Sequence, residues 1–269
     1  MYKFQYLKYL TIISALVKVL VLHDGHRRAS RFFTSMNASS YDAIVRVTTF
    51  GQDYIWKRRI LDVIDNHHLS CPCYSSSSHS SDVSAAHMYL DLASGTGILS
   101  SMIEERGNQG VGRLRMVVGL DLTLDYLRIA KKKCSTGELT NGAAEFLPYR
   151  EQSFDSVISS YMAKYVDVER VVKECWRVLK HEGVLVFHDF TYPSNLLARN
   201  FWNAYFRILR SAAKTISSWA PVFQELDEVV RMSNWLGLTI QALESNGFKN
   251  ISFTFHTMNT AAIVSANKP

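Results

Sequence analysis

Met88-Tyr89-Leu90-Asp91-Leu92-Ala93-Ser94-Gly95-Thr96-Gly97 and, after it, Val117-Val118-Gly119-Leu120-Asp121 carry the strongest signal in this 269-residue chain. An apolar run ends in an acidic residue and a tight Gly-x-Gly turn. Roughly 25 residues later a second apolar run ends in a carboxylate, as in doubly wound α/β domains that hold a ribose-bearing cofactor at their strand ends. Gly95 and Gly97 permit positive φ and let a ligand approach without a Cβ in the way. The dinucleotide pattern G-x-G-x-x-G also needs a third small residue and a pyrophosphate over the helix N-terminus. Ser100 stands at that third position, and Asp91 would repel a pyrophosphate while attracting a cationic sulfonium or ammonium. Asp121, acceptor-only when ionised, can take both ribose hydroxyl protons. The plainer alternative is a strand–helix turn with Asp121 capping the next helix.

The hydrophobic content of 47% supports a real core, and the length suits one α/β domain with additions. The formal charge of +6 is local: Lys3, Lys8, Lys18, Arg27, Arg28 and Arg31 face only Asp24 in the first forty residues. The remainder is almost neutral, so no basic groove and no nucleic-acid partner are implied. Cys71-Pro72-Cys73 is not the C-x-x-C spacing of a zinc site, and with Cys134 and Cys175 it reads as thiols in a reducing compartment. The nine histidines form no H-E-x-x-H cluster, and no metal is expected.

Residues 1–40 read as a basic apolar leader or amphipathic helix, and 41–269 as a single domain with a Ser-rich insert near 70–85. Lys8 and Lys18 interrupt the apolar segment from Tyr6 to Leu22, which is short of a spanning helix. It is compatible with a helix on a membrane surface, an organelle-targeting leader, or a helix packed on the domain. Cytoplasmic, peripheral-membrane and organelle locations therefore all stay open. From Tyr41 to Asn66 the pattern is helical, with Ile55, Ile60, Leu61 and Ile64 inward and Lys57, Arg58 and Arg59 outward. The serine tract from Ser70 to Ser84 cannot bury apolar area and reads as disordered.

Strands and helices then alternate. Strands are expected at Met88–Leu92, Arg115–Asp121, Glu138–Asn141, Phe154–Ser159 and Gly183–Phe190. Helices are expected at Ile98–Arg106, Thr123–Cys134, Val168–Leu179, Leu196–Thr215, Val222 through Leu236, and Leu238–Ser245. Two closing strands follow, near Asn250–His256 and Ala261–Ala266. This order implies an α/β fold with a mostly parallel sheet and an antiparallel C-terminal edge strand.

Several of these motifs resemble the class I S-adenosylmethionine methyltransferases. Asp91–Gly97 is similar to their motif I, and Gly119-Leu120-Asp121 to their second motif. Ala144-Glu145-Phe146-Leu147-Pro148-Tyr149 with Ser153-Phe154-Asp155-Ser156-Val157 is similar to "A-E-x-L-P-F … S-F-D-x-V". Arg177-Val178-Leu179-Lys180-His181-Glu182-Gly183 is similar to "R-V-L-K-P-G-G". A narrower likeness, to the ubiquinone/menaquinone biosynthesis C-methyltransferases, lies in Tyr41-Asp42, Thr49-Phe50-Gly51, Trp56-Lys57-Arg58 and Asp189-Phe190-Thr191-Tyr192-Pro193. Val45 stands where that family has asparagine. Ala143 stands where an Asp or Asn faces the adenine amino group, and Lys164 where an arginine follows strand four. Lys164 keeps the charge but loses the planar fork.

The resemblance implies a Rossmann-like class I methyltransferase sheet, S-adenosyl-L-methionine as cofactor, and C-methylation of a prenylated quinol ring. It places the methionine portion at Gly95, Thr96 and Gly97 and the ribose at Asp121, with Asp91, Ala93 and Leu122 as further cofactor-binding candidates. Adenine would lie by Ala143, Ala144 and Glu145, with Ser160 lining the pocket. Glu145 would either replace the missing adenine contact or sit as a solvated loop acid.

Quinol ring methylation wants a general base or an oxyanion-stabilising cation. Lys164, His188 and Asp189 are the candidates, although His188 also reads as a core histidine and Asp189 as a cap. Tyr41, Tyr161 and Tyr165 are candidate substrate contacts, with core packing the alternative for the last two. The stripe of Phe201, Trp202, Tyr205, Phe206 and Leu209 is core or a lid over a lipid-tailed acceptor. The expected partner is a small, lipid-tailed molecule, with peripheral membrane contact through the N-terminal segment and the oligomeric state open. Another small acceptor, or a non-catalytic cofactor-binding scaffold, is the alternative function.

Overall fold

A computed structural model describes residues 25–71, 86–109, 115–134 and 137–269. The first described stretch is helical, 25–32 (α1). It is followed by α2 (Ser35–Ala38), α3 (Tyr41–Thr48) and α4 (Gln52–Ser70). The alternating body is β1 (His87–Leu92), α5 (Ile98–Gln109), β2 (Arg115–Asp121), α6 (Leu124–Lys133), β3 (Glu138–Asn141), β4 (Phe154–Ser160), α7 (Val168–Val178) and β5 (Leu179–Phe190). Helices α8 (Leu196–Ala212), α9 (Ala220–Met232) and α10 (Trp235–Ser245) precede β6 (Lys249–His256) and β7 (Ala261–Asn267).

The seven strands order as β3-β2-β1-β4-β5-β7-β6. β1 to β5 pair in parallel, and β7 runs antiparallel to both β5 and β6. The sheet is thus mostly parallel, as expected. The reversed strand β7 lies one place in from the edge, which β6 closes.

Side-chain alternation with period two sends the strands' apolar residues to both faces. Leu90, Leu92, Val157, Leu185 and Phe187 pack under α7 and α10. Tyr89, Val117, Ile158, Val184 and Val186 pack against Ile60, Leu61 and Ile64 of α4 and Leu99 and Ile103 of α5. Covered on both sides, the central strands read as near-continuous apolar runs. Helix α7 shows the complementary logic. Asp167 caps it by accepting the Arg170 N–H, and Val168, Val171, Val172, Cys175 and Val178 form one buried face. A third cluster, Phe32, Tyr165, Trp219, Val222 and Phe223, joins α1 to the α8–α9 region.

Three expectations need correction. The single helix from Tyr41 to Asn66 is two helices, broken where Phe50 (φ 52°) and Gly51 (φ 75°) adopt left-handed backbone. The faces also differ: Lys57 does not face outward but is buried and ion-paired with Asp53, and Ile55 is exposed rather than inward. Cys71 is in a disulfide, so the thiol reading holds for Cys134 and Cys175, which are free and buried. The apolar segment from Tyr6 to Leu22 and most of the Ser-rich insert lie outside the described residues. Within the stretch assigned to the leader, Phe32 and Asn37 are fully buried against the domain. No described helix is long and apolar enough to cross a membrane.

Gly183 tests the packing at the start of β5. A Cβ there would fall 2.9 Å from the Lys180 carbonyl oxygen and 3.2 Å from that of Asp155, both backbone atoms that cannot step aside. Gly183→Ala is expected to lower the unfolding free energy by about 1–3 kcal/mol, read as a shifted urea midpoint at unchanged slope.

Candidate functional site

The chain bends sharply after β1. Ala93 (φ 55°), Gly95 (φ 57°) and Gly97 (φ 78°) all take left-handed backbone, which for Ala93 is a strained state of the kind found at binding sites. The bend is tied to the end of β2. The Gly95 N–H donates to Asp121 Oδ2 at 2.9 Å, and the Thr123 N–H to Oδ1 at 2.7 Å. Burial pushes the Asp121 carboxyl up, and these two backbone donors oppose the shift. The Thr123 side chain also hydrogen-bonds to this carboxylate, which offers about four acceptor positions in all and so keeps acceptor capacity for a diol.

Asp121 opens onto a cavity lined by Ala93, Gly95, Leu122, Ala144, Glu145 and Ser160, together with His26, Phe33, Tyr41, Tyr161 and Tyr165. The tyrosine faces suit a cation. Two buried polar atoms on its walls, Glu145 Oε2 and the Tyr165 hydroxyl, lack a hydrogen-bond partner among the described residues. The cavity is small, about 100 Å³, and its diol acceptor, apolar slot and aromatic residues match an adenosyl sulfonium in chemistry.

A second, apolar cavity of about 480 Å³ shares Phe33, Tyr41, Tyr161 and Tyr165 with the first. Its walls include Trp56, Phe190, Trp202, Tyr205, Phe206 and Trp219. Lys164 is the basic residue on its lining. The Lys164 ammonium donates to Asp189 Oδ1 at 2.6 Å and to the Tyr161 carbonyl at 2.8 Å, which leaves the third of its three donors. Burial pulls Lys164 down and pushes Asp189 up, and each holds the other charged across the ion pair. Tyr161 sits at φ 73°, stacks on Phe190 with ring centroids 4.8 Å apart, and donates its hydroxyl to Asp53 at 2.8 Å. Asp53 in turn pairs with Lys57.

Not every expected residue reaches these cavities. Asp91, Thr96, Gly97, Ala143, His188 and Asp189 line neither of them. Asp91 is buried and accepts the Ser100 hydroxyl at 2.6 Å. The Thr96 hydroxyl donates to Asp42 at 2.5 Å, and Asp42 also pairs with Lys133. Gly97 makes room for α6, since a Cβ there would meet Ala130 Cβ at 3.0 Å. Asp189 is occupied as an acceptor by Lys164 and by the Phe190 N–H, so it orients Lys164 from behind the cavity wall. His188 bonds the Ser160 hydroxyl through Nδ1 at 2.9 Å, and burial holds its pKa well below the usual value. Glu145 is not a solvated acid but is 5% exposed.

His26 and Phe33 escape sequence reasoning, since they meet the site only through long-range packing, and Asp42 and Asp53 were given no role of their own. For Asp42 and Asp53 the signal was proximity to the Tyr41 and Trp56 motifs.

Comparison with known proteins follows the same direction. The model of the ubiE/COQ5 methyltransferase family matches residues 22–268. The demethylmenaquinone methyltransferase of Paenarthrobacter aurescens is 29% identical over 86% of this chain and 83% of its own length. The ubiquinone/menaquinone biosynthesis C-methyltransferase UbiE of Blochmanniella floridana is 28% identical over 93% and 97%. A solved structure from Methanococcus maripaludis, described as an S-adenosylmethionine-dependent methyltransferase, aligns with TM-score 0.56 at 15% identity, covering 87% of this chain and 93% of that one. At that identity it speaks for the fold alone.

Asp91 offers a test of the buried charge beneath the bend. Desolvation pushes its carboxyl up to about 7, against the Ser100 hydrogen bond and Lys57. The folded value lies above the usual one, so its favourable contribution is complete below about pH 4 and is lost as pH rises through 7. Asp91→Asn stays neutral throughout. In ligand-free protein it is expected to match wild type near pH 4 and to exceed it in unfolding free energy near pH 8, by an amount on the order of 4 kcal/mol at the limit.

Proposed function

This chain belongs to the ubiE/COQ5 methyltransferase family, and we propose that it methylates a ring carbon of a prenylated quinol at the junction of its two cavities. It is an S-adenosylmethionine-dependent methyltransferase. The observation that carries the acceptor reading is the apolar cavity of about 480 Å³ meeting the carboxylate-bearing cavity at Tyr41, Tyr161 and Tyr165. A polar methyl donor and a lipid tail each find a matching chamber, with the reacting atoms where the chambers touch. The relatives from Paenarthrobacter aurescens and Blochmanniella floridana are named for quinone methylation, which agrees with this chemistry.

When bound, S-adenosylmethionine supplies a methyl group on a sulfonium, already electrophilic. The residues of the chain provide alignment and exclusion of water. Asp121 takes the ribose diol through its remaining acceptor capacity. Ala93 and Gly95 present backbone to the methionine portion, and Leu122 and Ala144 flank the base. Ser160, fixed by His188, lines the same chamber. Tyr161, locked by Asp53 and by stacking on Phe190, sets the wall across which the methyl group passes. Lys164, aimed by Asp189, offers its remaining donor to a ring oxygen of the acceptor. A cation in this desolvated place favours the phenolate, formed by loss of the hydroxyl proton to solvent; its ring carbon takes the methyl group, the thioether leaves, and the ring proton is then lost to solvent as aromaticity returns.

The rim of the apolar cavity supports delivery of the acceptor from a lipid phase. Phe50, Phe201, Ile208 and Met258 line the cavity yet are 80%, 60%, 68% and 56% exposed. Helix α8 carries Arg199, Arg207 and Arg210 and no acidic residue, which suits an anionic surface. Peripheral membrane contact at this mouth, with or without the N-terminal segment, follows from the same reading.

Turnover of a demethyl-quinol with labelled methyl donor tests the assignment. Lys164→Met is expected to lower kcat by about 10²–10³-fold, with S-adenosylhomocysteine affinity within about threefold of wild type. Unchanged turnover would remove Lys164 from the reaction. Asp121→Ala is expected to abolish detectable cofactor binding in calorimetry, and unchanged affinity would mean that the ribose lies elsewhere.

A further inference from the structure

Residues 257–260 join β6 to β7, and Thr257 (φ 46°), Met258 (φ 55°) and Asn259 (φ 64°) take left-handed backbone in succession. Residues other than glycine visit this region singly, and a β-branched residue is least suited to it. Such strain persists only where the surroundings over-determine it, and it gathers where a ligand is handled.

The turn is pinned from several sides. Thr191 donates its N–H to the Thr260 carbonyl at 2.9 Å and its hydroxyl to the Asn259 carbonyl at 2.8 Å. The Thr260 hydroxyl donates to the Thr257 carbonyl at 2.7 Å. The Thr257 hydroxyl accepts the Trp56 indole N–H at 3.0 Å and donates to Gln52 Oε1 at 3.1 Å. Gln52 opens α4, directly after the left-handed break at Phe50 and Gly51. One hydroxyl therefore staples two strained turns to each other.

Each of these turns sends an apolar side chain to the same place. Phe50 and Met258 line the apolar cavity and yet are mostly exposed, so they stand at its opening. Helix α8 is tied to the same rim: Tyr205 donates its hydroxyl to the Thr48 carbonyl at 2.6 Å, and its ring centroid lies 6.0 Å from that of Phe50. Trp56 carries the staple inward to Phe190, ring centroids 5.9 Å apart, on which Tyr161 stacks. Glycine in place of Met258 would relieve the backbone but leave the opening bare. The strain thus accompanies an apolar side chain held at that point.

We propose that Phe50 and Met258 are specificity-determining residues, held by the two stapled turns as a preformed collar around the tail of the acceptor where it leaves the chamber. This rests on the acceptor reading above and adds which residues read the tail. A ring without a tail, seated at Lys164, leaves both side chains in water. A tailed ring covers them, and contacts that are already in place lose little freedom on binding. The collar therefore selects tailed quinols over tail-less ones.

The test measures methyl transfer by the full chain to two demethyl-quinols in the same nonionic detergent, one with a geranyl tail and one with a methyl group in its place. Wild type is expected to show a kcat/KM about 30-fold or more higher for the geranyl acceptor. Met258→Gly and Phe50→Gly are each expected to lower that ratio about fivefold or more, through the KM of the geranyl acceptor. Their urea midpoints are expected to equal or exceed that of wild type, because glycine accepts this backbone without strain. Met258→Leu, which keeps the apolar bulk, is expected to hold the ratio within about twofold of wild type. A wild-type ratio near one, or a ratio unchanged in both glycine variants, overturns the proposal while leaving ring methylation standing. Lowered midpoints with equal losses on both acceptors would make the two residues structural only, which overturns it as well. Turnover of neither acceptor by wild type overturns the acceptor reading itself and the collar with it.

Discussion

The Asp121 carboxylate is the hinge pin of the molecule. By accepting the N–H groups of Gly95 and Thr123 it joins the bend after β1 to the turn after β2. That union opens a floor between two parallel strands where a diol can meet a carboxylate. Everything functional is arranged around it: the strained Ala93, the aromatic wall of Tyr41, Tyr161 and Tyr165, and the loop from Gly142 to Glu145. Remove the two N–H contacts and the carboxylate would be a buried, unpartnered charge, a far more expensive object.

Around that floor the protein spends stability on position. Lys164 and Asp189 are an ion pair out of contact with water, and such pairs seldom add net stability. Asp53 with Lys57 is a second buried pair, and its carboxylate fixes the Tyr161 hydroxyl. Tyr161 holds left-handed backbone, unfavourable for a bulky side chain. These costs gather on the wall between the two cavities. A core built for stability alone would place aliphatic residues there.

The legible part of this fold was the part governed by local rules. Near-continuous apolar runs located β1, β2, β4 and β5, and Asp121 was found because its role follows from its place at the end of a strand. What stayed hidden depended on contacts between distant residues. Lys57 reads as a solvated helix charge until Asp53 is seen beside it. The break at Phe50 and Gly51 hides inside an otherwise helical pattern. Thr96 and Gly97 belong to a recognisable turn, yet one is spent on Asp42 and the other on the approach of α6. Asp91, which looked like the other arm of a cradle, is packed beneath the bend and bonded to Ser100. Nothing in the pattern around His26 connects it to Glu145, 119 positions away.

On the proposed reading the chain has two chambers with one wall, a carboxylate-bearing one for the methyl donor and an apolar one for a lipid-tailed ring. A crystal structure with S-adenosylhomocysteine tests this most directly. The account predicts that the ribose hydroxyls contact Asp121 and that the sulfur faces the wall formed by Tyr41, Tyr161 and Tyr165. A ligand whose sulfur points away from that wall, or whose ribose leaves Asp121 untouched, would contradict it.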